Sequence, residues 1–147
     1  MSTPIDFVAL RRRYDKQLGS GPRAELRRVR APGDLASIPV FYKLLPGERA
    51  YEKWLRVLFC LPWAKHADEA KPLGAQLAKR CIHEQRLFQV IRSTSPNDLI
   101  QLRRLLQHVE PTVNWQRFGW QLYYWRPEDK RQLLEDFYLT YSAAPAI

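Results

Sequence analysis

A chain of 147 residues, 46% of them hydrophobic and five of them tryptophan, is long enough to bury one domain's core and too apolar to be intrinsically disordered. Its 24 Lys and Arg against 15 Asp and Glu give a formal charge of +9 and a pI near 9.9, the electrostatic footprint of a protein with a polyanionic partner. Seventeen of those cations are arginine, which favours bidentate contacts to phosphate and stacking on bases, although an anionic membrane or an acidic protein would attract the same charge.

The chain opens MSTPIDFVALRRRYD, without the charged-then-apolar order of a secretory signal, and its most apolar stretch, VLFCL, stops at Pro62, so a cytoplasmic protein is expected. Thr3-Pro4-Ile5-Asp6 has the form of a helix cap, and Phe7, Leu10, Tyr14 and Leu18 form the seam of a first helix ended by Gly19. Arg11 to Arg13 and Lys16 then fall mostly outside. A short helix follows, with Leu26 and Val29 on one side and Arg23, Arg27 and Arg30 on another. APGD and LPGE read as turns around the helical segment IPVFYKLL, and a further helix is expected from about Glu48 to Leu61. PWAKHADEAKP, residues 62–72, reads as a flexible connector.

Beyond the connector a helix opens at Pro72, and a neighbouring segment runs to Arg92 with Leu87, Phe88 and Ile91 inward and Arg86, Gln89 and Arg92 outward. In SPNDLIQLRRLLQHVEP, Ser95 and Asp98 are spaced as a capping box around Pro96, and Leu99, Leu102, Leu106 and Val109 make an apolar stripe. Arg103 and Arg104 fall off that stripe, either as a solvated face or as phosphate ligands. Pro111 and Pro127 start two more helices ending near Tyr141, and the tail SAAPAI reads as frayed. No segment alternates convincingly enough to be a strand. The aromatics of residues 115–125 offer a base-stacking platform as one reading, but Trp115, Phe118, Leu122 and Trp125 among them are spaced as a core seam.

Catalytic constellations are not evident. His108-Val109-Glu110 has the H-x-E of zinc deaminases but lacks the accompanying P-C-x-x-C. Cys60 and Cys81 have no metal or redox spacing and read as reduced core thiols; the three histidines form no metal site. No glycine motif cradles a phosphate, and no acidic cluster suits two-metal nuclease work. These absences favour a binding or architectural protein with no cofactor and no metal, rather than an enzyme.

The blocks LRRVRAPGDLASIPVFYKLL, RVLFCL, RLFQVIR, QLRRLLQHVEP and RQLLEDF, in this order and at these separations, resemble the CasB family, the small subunit of the type I-E CRISPR surveillance complex Cascade. The resemblance extends from Ile5 to Tyr141. It implies an all-α protein of two small packed bundles, about 4–62 and 72–142, without catalytic activity. It also implies partners: other Cascade subunits, including the backbone subunits that hold the guide RNA, a second copy of this chain, and the guide RNA and target DNA, with no membrane and no small-molecule substrate. Such a subunit would steady the guide–target hybrid and the displaced strand, the R-loop, through a basic surface, while a separately recruited helicase-nuclease cuts.

Carried onto this sequence, the resemblance makes Arg27, Arg28, Arg86, Arg92, Arg103 and Arg104 candidate phosphate ligands, with Arg49 ahead of the RVLFCL helix. Two departures stand out. Where the family commonly starts its last helix with basic residues, this chain has RPEDKR, which moves any contact to Arg126, Lys130 or Arg131, and the connector is short. The alternative reading is a free-standing, sequence-independent single-strand or RNA binder. A lipid or acidic-protein binder would need an apolar helix face that the core does not already claim.

Overall fold

The computed structural model describes residues 5–143, with side chains to residue 140. Thr3 and Pro4 of the expected first cap, and the tail from residue 144, lie outside the described residues. Nine α-helices are present among them: α1 (Phe7–Lys16), α2 (Ser20–Arg28), α3 (Pro39–Leu44), α4 (Glu52–Cys60), α5 (Leu73–Lys79), α6 (Glu84–Arg92), α7 (Asn97–Val109), α8 (Trp115–Tyr124) and α9 (Pro127–Ala143). Two 3₁₀ segments, Pro32–Ser37 and Leu61–Trp63, and two strands of two residues each, β1 (Lys65–His66) and β2 (Thr112–Val113), complete an all-α fold.

The core is built around α4. Trp54, Leu55, Val57, Leu58, Phe59 and Cys60 are all buried, so this helix is apolar on nearly every side, as a central helix must be. It packs against the Pro32–Ser37 segment, α2, α7 and α8. The expected N-terminal bundle thus acquires α8 from beyond the connector. Gly119 of α8 makes this approach possible, because a Cβ there would collide with the Phe7 ring of α1. Beyond the connector α5 lies along α9, with Gly74 against the backbone at Leu133, and α6 packs on α7 and α9. Apolar residues from both sides of the connector form one continuous core.

The connector is structured, contrary to expectation. Lys65 N–H donates to the Pro111 carbonyl at 3.1 Å and Ala67 N–H to Val113 at 3.0 Å, making β1 and β2 a parallel pair in the register Lys65↔Thr112, His66↔Val113. Two residues are too few for an alternating pattern, so these strands carried no sequence signal. Trp115 locks the pair: its indole N–H donates to the Ala64 carbonyl at 2.8 Å and its backbone N–H to His66 Nδ1 at 3.0 Å.

Several caps differ from their sequence reading. Asp6 caps α1, accepting from Ala9 N–H at 2.8 Å, and Gly19 precedes α2 rather than ending α1. α4 starts at Glu52, four residues later than expected, because the turn at Gly47 (φ +82°) runs on through Arg49 to Tyr51. α7 starts at Asn97 without a side-chain cap: Ser95 Oγ donates to Glu52 Oε1 at 3.1 Å, and Asp98 turns inward. Asp98 Oδ2 accepts from Trp125 Nε1 at 2.9 Å and pairs with Lys130 Nζ at 2.7 Å, a buried charge held by two donors. Cys60 is a core thiol, as expected, and burial pushes its pKa up to about 12. Cys81 is exposed, in the turn between α5 and α6 with φ +57°, because the helix expected to carry it breaks there.

Candidate nucleic-acid interface

Four of the candidate arginines lie on α2 and α7, two at the end of α2 and two in the middle of α7, and one of them links the two helices. Arg103 is the correction: it is 7% exposed, not solvated. Its Nη2 donates to the Arg27 carbonyl at 2.6 Å, and its guanidinium lies 4.3 Å from the Phe59 ring centroid and 5.5 Å from that of Trp63. Burial lowers its pKa, without threatening a guanidinium's charge at neutral pH. The heptad-like count placed Arg103 off the leucine stripe, but α4 and the Leu61–Trp63 segment cover that side of α7 as well. Its guanidinium is therefore engaged inside the protein.

Arg104 follows Arg103 and Arg28 follows Arg27, each one Cα step of about 3.8 Å away. Both are exposed, and neither side chain has a hydrogen-bond or ion-pair partner among the described residues. The Arg103 clamp therefore ties together the two helices that carry these two free arginines. Arg27 is also exposed, with a long contact of 3.5 Å from its Nη1 to the Tyr14 hydroxyl.

A second group lies at the start of α9. Lys130 is a correction too: its ammonium is taken up by Asp98 and by the Ser93 carbonyl at 3.0 Å, with a side chain only 15% exposed. Its aliphatic stem reaches into the interior because α9 packs on α6 there. Arg126 is half exposed but tied to Asp129 at 3.1 Å, which raises its pKa, and it lies over Tyr124 at 4.9 Å. Arg131 is exposed with only a long 3.8 Å pair to Glu135. Arg92, exposed on α6 with its guanidinium 4.7 Å from the Phe88 centroid, borders the same Ser93. Arg86, half-buried on α6, and Arg49, exposed before α4, are joined to neither group by a hydrogen bond or ion pair.

A third basic feature was missed from sequence. Arg12, Lys16 and Lys65 surround a hollow of about 400 Å³ between α1 and β1, with His66 and the Arg11–Asp15 pair beside them. Arg12 and Lys16 were expected outside but not singled out, and Lys65 joins them only through the unforeseen β1. Arg11, expected outside as well, is 7% exposed and donates to the Leu61 carbonyl at 2.5 Å. Among the described residues no group of three or more His, Cys, Asp or Glu is placed to hold a metal ion, and no helix is long and apolar enough to cross a membrane.

Residues 22–138 match the family model described as CRISPR-associated protein Cse2. The chain is 39% identical to the CRISPR system Cascade subunit CasB of Escherichia coli (strain K12), over 95% of this chain and 97% of that protein. It is also similar to a chain in the crystal structure of E. coli Cascade bound to a PAM-containing double-stranded DNA target, with a TM-score of 0.85, 39% identity, and coverage of 94% of this chain and 99% of that one. Both the sequence blocks and the course of the backbone therefore agree: the chain belongs to the CRISPR-associated Cse2 family, to which CasB belongs.

Proposed function

We propose that this chain is a non-catalytic, cytoplasmic subunit of a type I-E RNA-guided surveillance complex, which steadies the opened target through sequence-independent phosphate contacts. The carrying observation is the junction of α2 and α7, where Arg103 fixes the backbone and leaves Arg28 and Arg104 exposed and unpaired. The relative named as a Cascade subunit and the solved complex with a double-stranded DNA target support the assembly and the substrate. Its partners in this reading are backbone subunits, a second copy of the chain, guide RNA and target DNA.

Opening a duplex against a guide exchanges base pairs of similar stability, so backbone contacts to the opened strands tip the balance. Cations without carboxylate partners provide them at little desolvation cost and without reading bases. The test is target binding by complexes reconstituted with Arg28→Ala/Arg104→Ala at several salt concentrations. Two lost phosphate contacts should flatten the logarithmic salt slope by about 1.4 to 1.8, equally for unrelated target sequences. An unchanged affinity and slope would remove this junction from the DNA path.

A further inference from the structure

Whereas the Arg12–Lys16–Lys65 hollow borders β1, a second one, of about 440 Å³, borders β2 between α8, α9 and the segment leading into α5. This volume is within the range of small-ligand sites. Leu73, Val113, Phe118 and Leu133 give it apolar walls, and Trp120, half-buried, adds an aromatic one. The Trp120 ring is held in place by Tyr124, stacked at 5.5 Å and 12°, and by Phe7, edge-on at 5.1 Å.

Its polar groups are what distinguish it from an ordinary apolar groove. Gln121 Nε2 donates to Gln132 Oε1 at 3.4 Å, which leaves the Gln121 carbonyl oxygen and the Gln132 amide hydrogens as an unused acceptor and donor at the rim. Arg117 and Lys71, both exposed, have no ion-pair partner among the described residues. Asp136 is the one carboxylate lining the hollow, and partial burial together with Glu135 raises its pKa.

We propose that this hollow receives one unpaired nucleobase of a single strand whose phosphates cross to the neighbouring Arg12–Lys16–Lys65 hollow. The inference rests on the phosphate-binding function proposed above and adds a base-binding subsite to it. The two hollows share the strand pair as a wall: His66 borders one, Val113 the other, and the two residues are register partners in strands that lie about 4.8 Å apart. A base stacked on Trp120 would present its edge to the free amide groups of Gln121 and Gln132, while flanking phosphates neutralise Arg117 and Lys71. An apolar side chain from a protein partner would fill the same space but leave those amides and cations desolvated and unpaired, which is costly.

The test uses the full chain at low salt with labelled single strands of equal length and charge, one carrying adenines and one abasic throughout. The adenine strand should bind about tenfold more tightly, within the range for one stacked base. In Trp120→Leu, and separately in the surface variant Gln132→Ala, that ratio should shrink while the salt slope stays. A 2-aminopurine placed in the strand should be quenched by the wild type and not by Trp120→Leu. Equal affinity for both strands, with salt-dependent binding intact, overturns the base subsite and leaves the phosphate path standing. Absence of salt-dependent binding to either strand, alone and in the assembled complex, overturns both. Burial of Arg117 and Trp120 by another subunit in a complex that binds adenine and abasic targets alike also overturns the subsite and identifies a protein occupant.

Discussion

Replacing Arg103 with Ala tests the clamp that organises the candidate interface. The change removes a charge-assisted hydrogen bond to the Arg27 carbonyl, worth about 1.5–3 kcal/mol. It removes a cation–π contact to Phe59 worth about 1 kcal/mol, and the packing of an aliphatic stem at about 0.8 kcal/mol per methylene. Against these losses stands relief: Nη1 is buried without a partner, a standing cost of about 1–3 kcal/mol, and burial of the charge itself is unfavourable. The balance is a destabilisation of about 3 kcal/mol, or a fall in melting temperature of about 6–12 °C for a chain of this size. Arg104→Ala, one residue on and exposed, should stay within about 0.5 kcal/mol of wild type. Arg103→Met keeps most of the stem and drops the orphan donor, so it should lose less than Ala. Urea denaturation and thermal melts followed by circular dichroism of the free subunit make the comparison. If Arg103→Ala and Arg104→Ala unfold alike, within about 0.5 kcal/mol of wild type, the buried guanidinium is not a clamp and this account of the junction fails.

Asp98→Ala strands the Lys130 ammonium and the Trp125 indole N–H in the interior and should cost about 3–5 kcal/mol by urea denaturation, with Asp98→Asn costing less; a loss under about 1 kcal/mol would mean the pair is not effectively buried. Thiol labelling of the native protein at pH 8 should modify Cys81 and spare Cys60, both reacting in denaturant; native labelling of both would contradict the burial of Cys60. The Cys60 thiol ionises near pH 9.0 when unfolded and near 12 when folded, so the folded state holds more protons between these values and stability falls as pH rises through them. A Cys60→Ala variant should lose that part of the alkaline slope, read from melts between pH 8 and 11.

What the sequence revealed and what it hid divide along the range of the interactions. The Phe7–Leu10–Tyr14–Leu18 seam, the Leu99–Leu102–Leu106–Val109 stripe and the Trp115–Phe118–Leu122–Trp125 seam are buried, because each is a periodicity within one helix, except at Leu18 and Trp125, which lie past their helix ends and are half-buried. The resemblance of five blocks carried the family. Trp120 and Tyr124 entered only through the broad reading of residues 115–125 as a stacking platform, because they lie off the Trp115 seam, on a face that matters only once α9 and β2 stand beside it. Arg103 and Arg11 were misjudged for a common reason: helical periodicity finds one apolar face, whereas a helix covered on two sides buries residues outside it. Asp98 shows the same limit, since the Ser95–Asp98 spacing satisfies a capping motif but Lys130 and Trp125, 32 and 27 positions along the chain, take the carboxylate instead.

The cations engaged inside the protein share a destination. Arg103 donates to Arg27 near the end of α2, Arg13 to Leu44 at the end of α3 at 2.8 Å, and Arg11 to Leu61 just past α4. Arg56 donates to Leu122 and Tyr123 in the last turn of α8, at 2.7 and 2.5 Å, and Lys130 to Ser93 past α6. Carbonyls at helix C-termini lack intrahelical donors and carry the negative end of the helix dipole, so a cation from a neighbouring helix both satisfies them and pins two helices together. A carbonyl bears no formal charge, so it holds a guanidinium without cancelling it, whereas a carboxylate partner would. Arg13 and Arg103 hold helix ends without an ion-pair partner among the described residues, and Arg103, bonded to the residue before Arg28 and itself followed by Arg104, keeps its positive charge beside both. On the function proposed above, the arginine that ties the junction together also adds to its positive potential, so that the exposed neighbours would meet a strand with less entropy lost on binding.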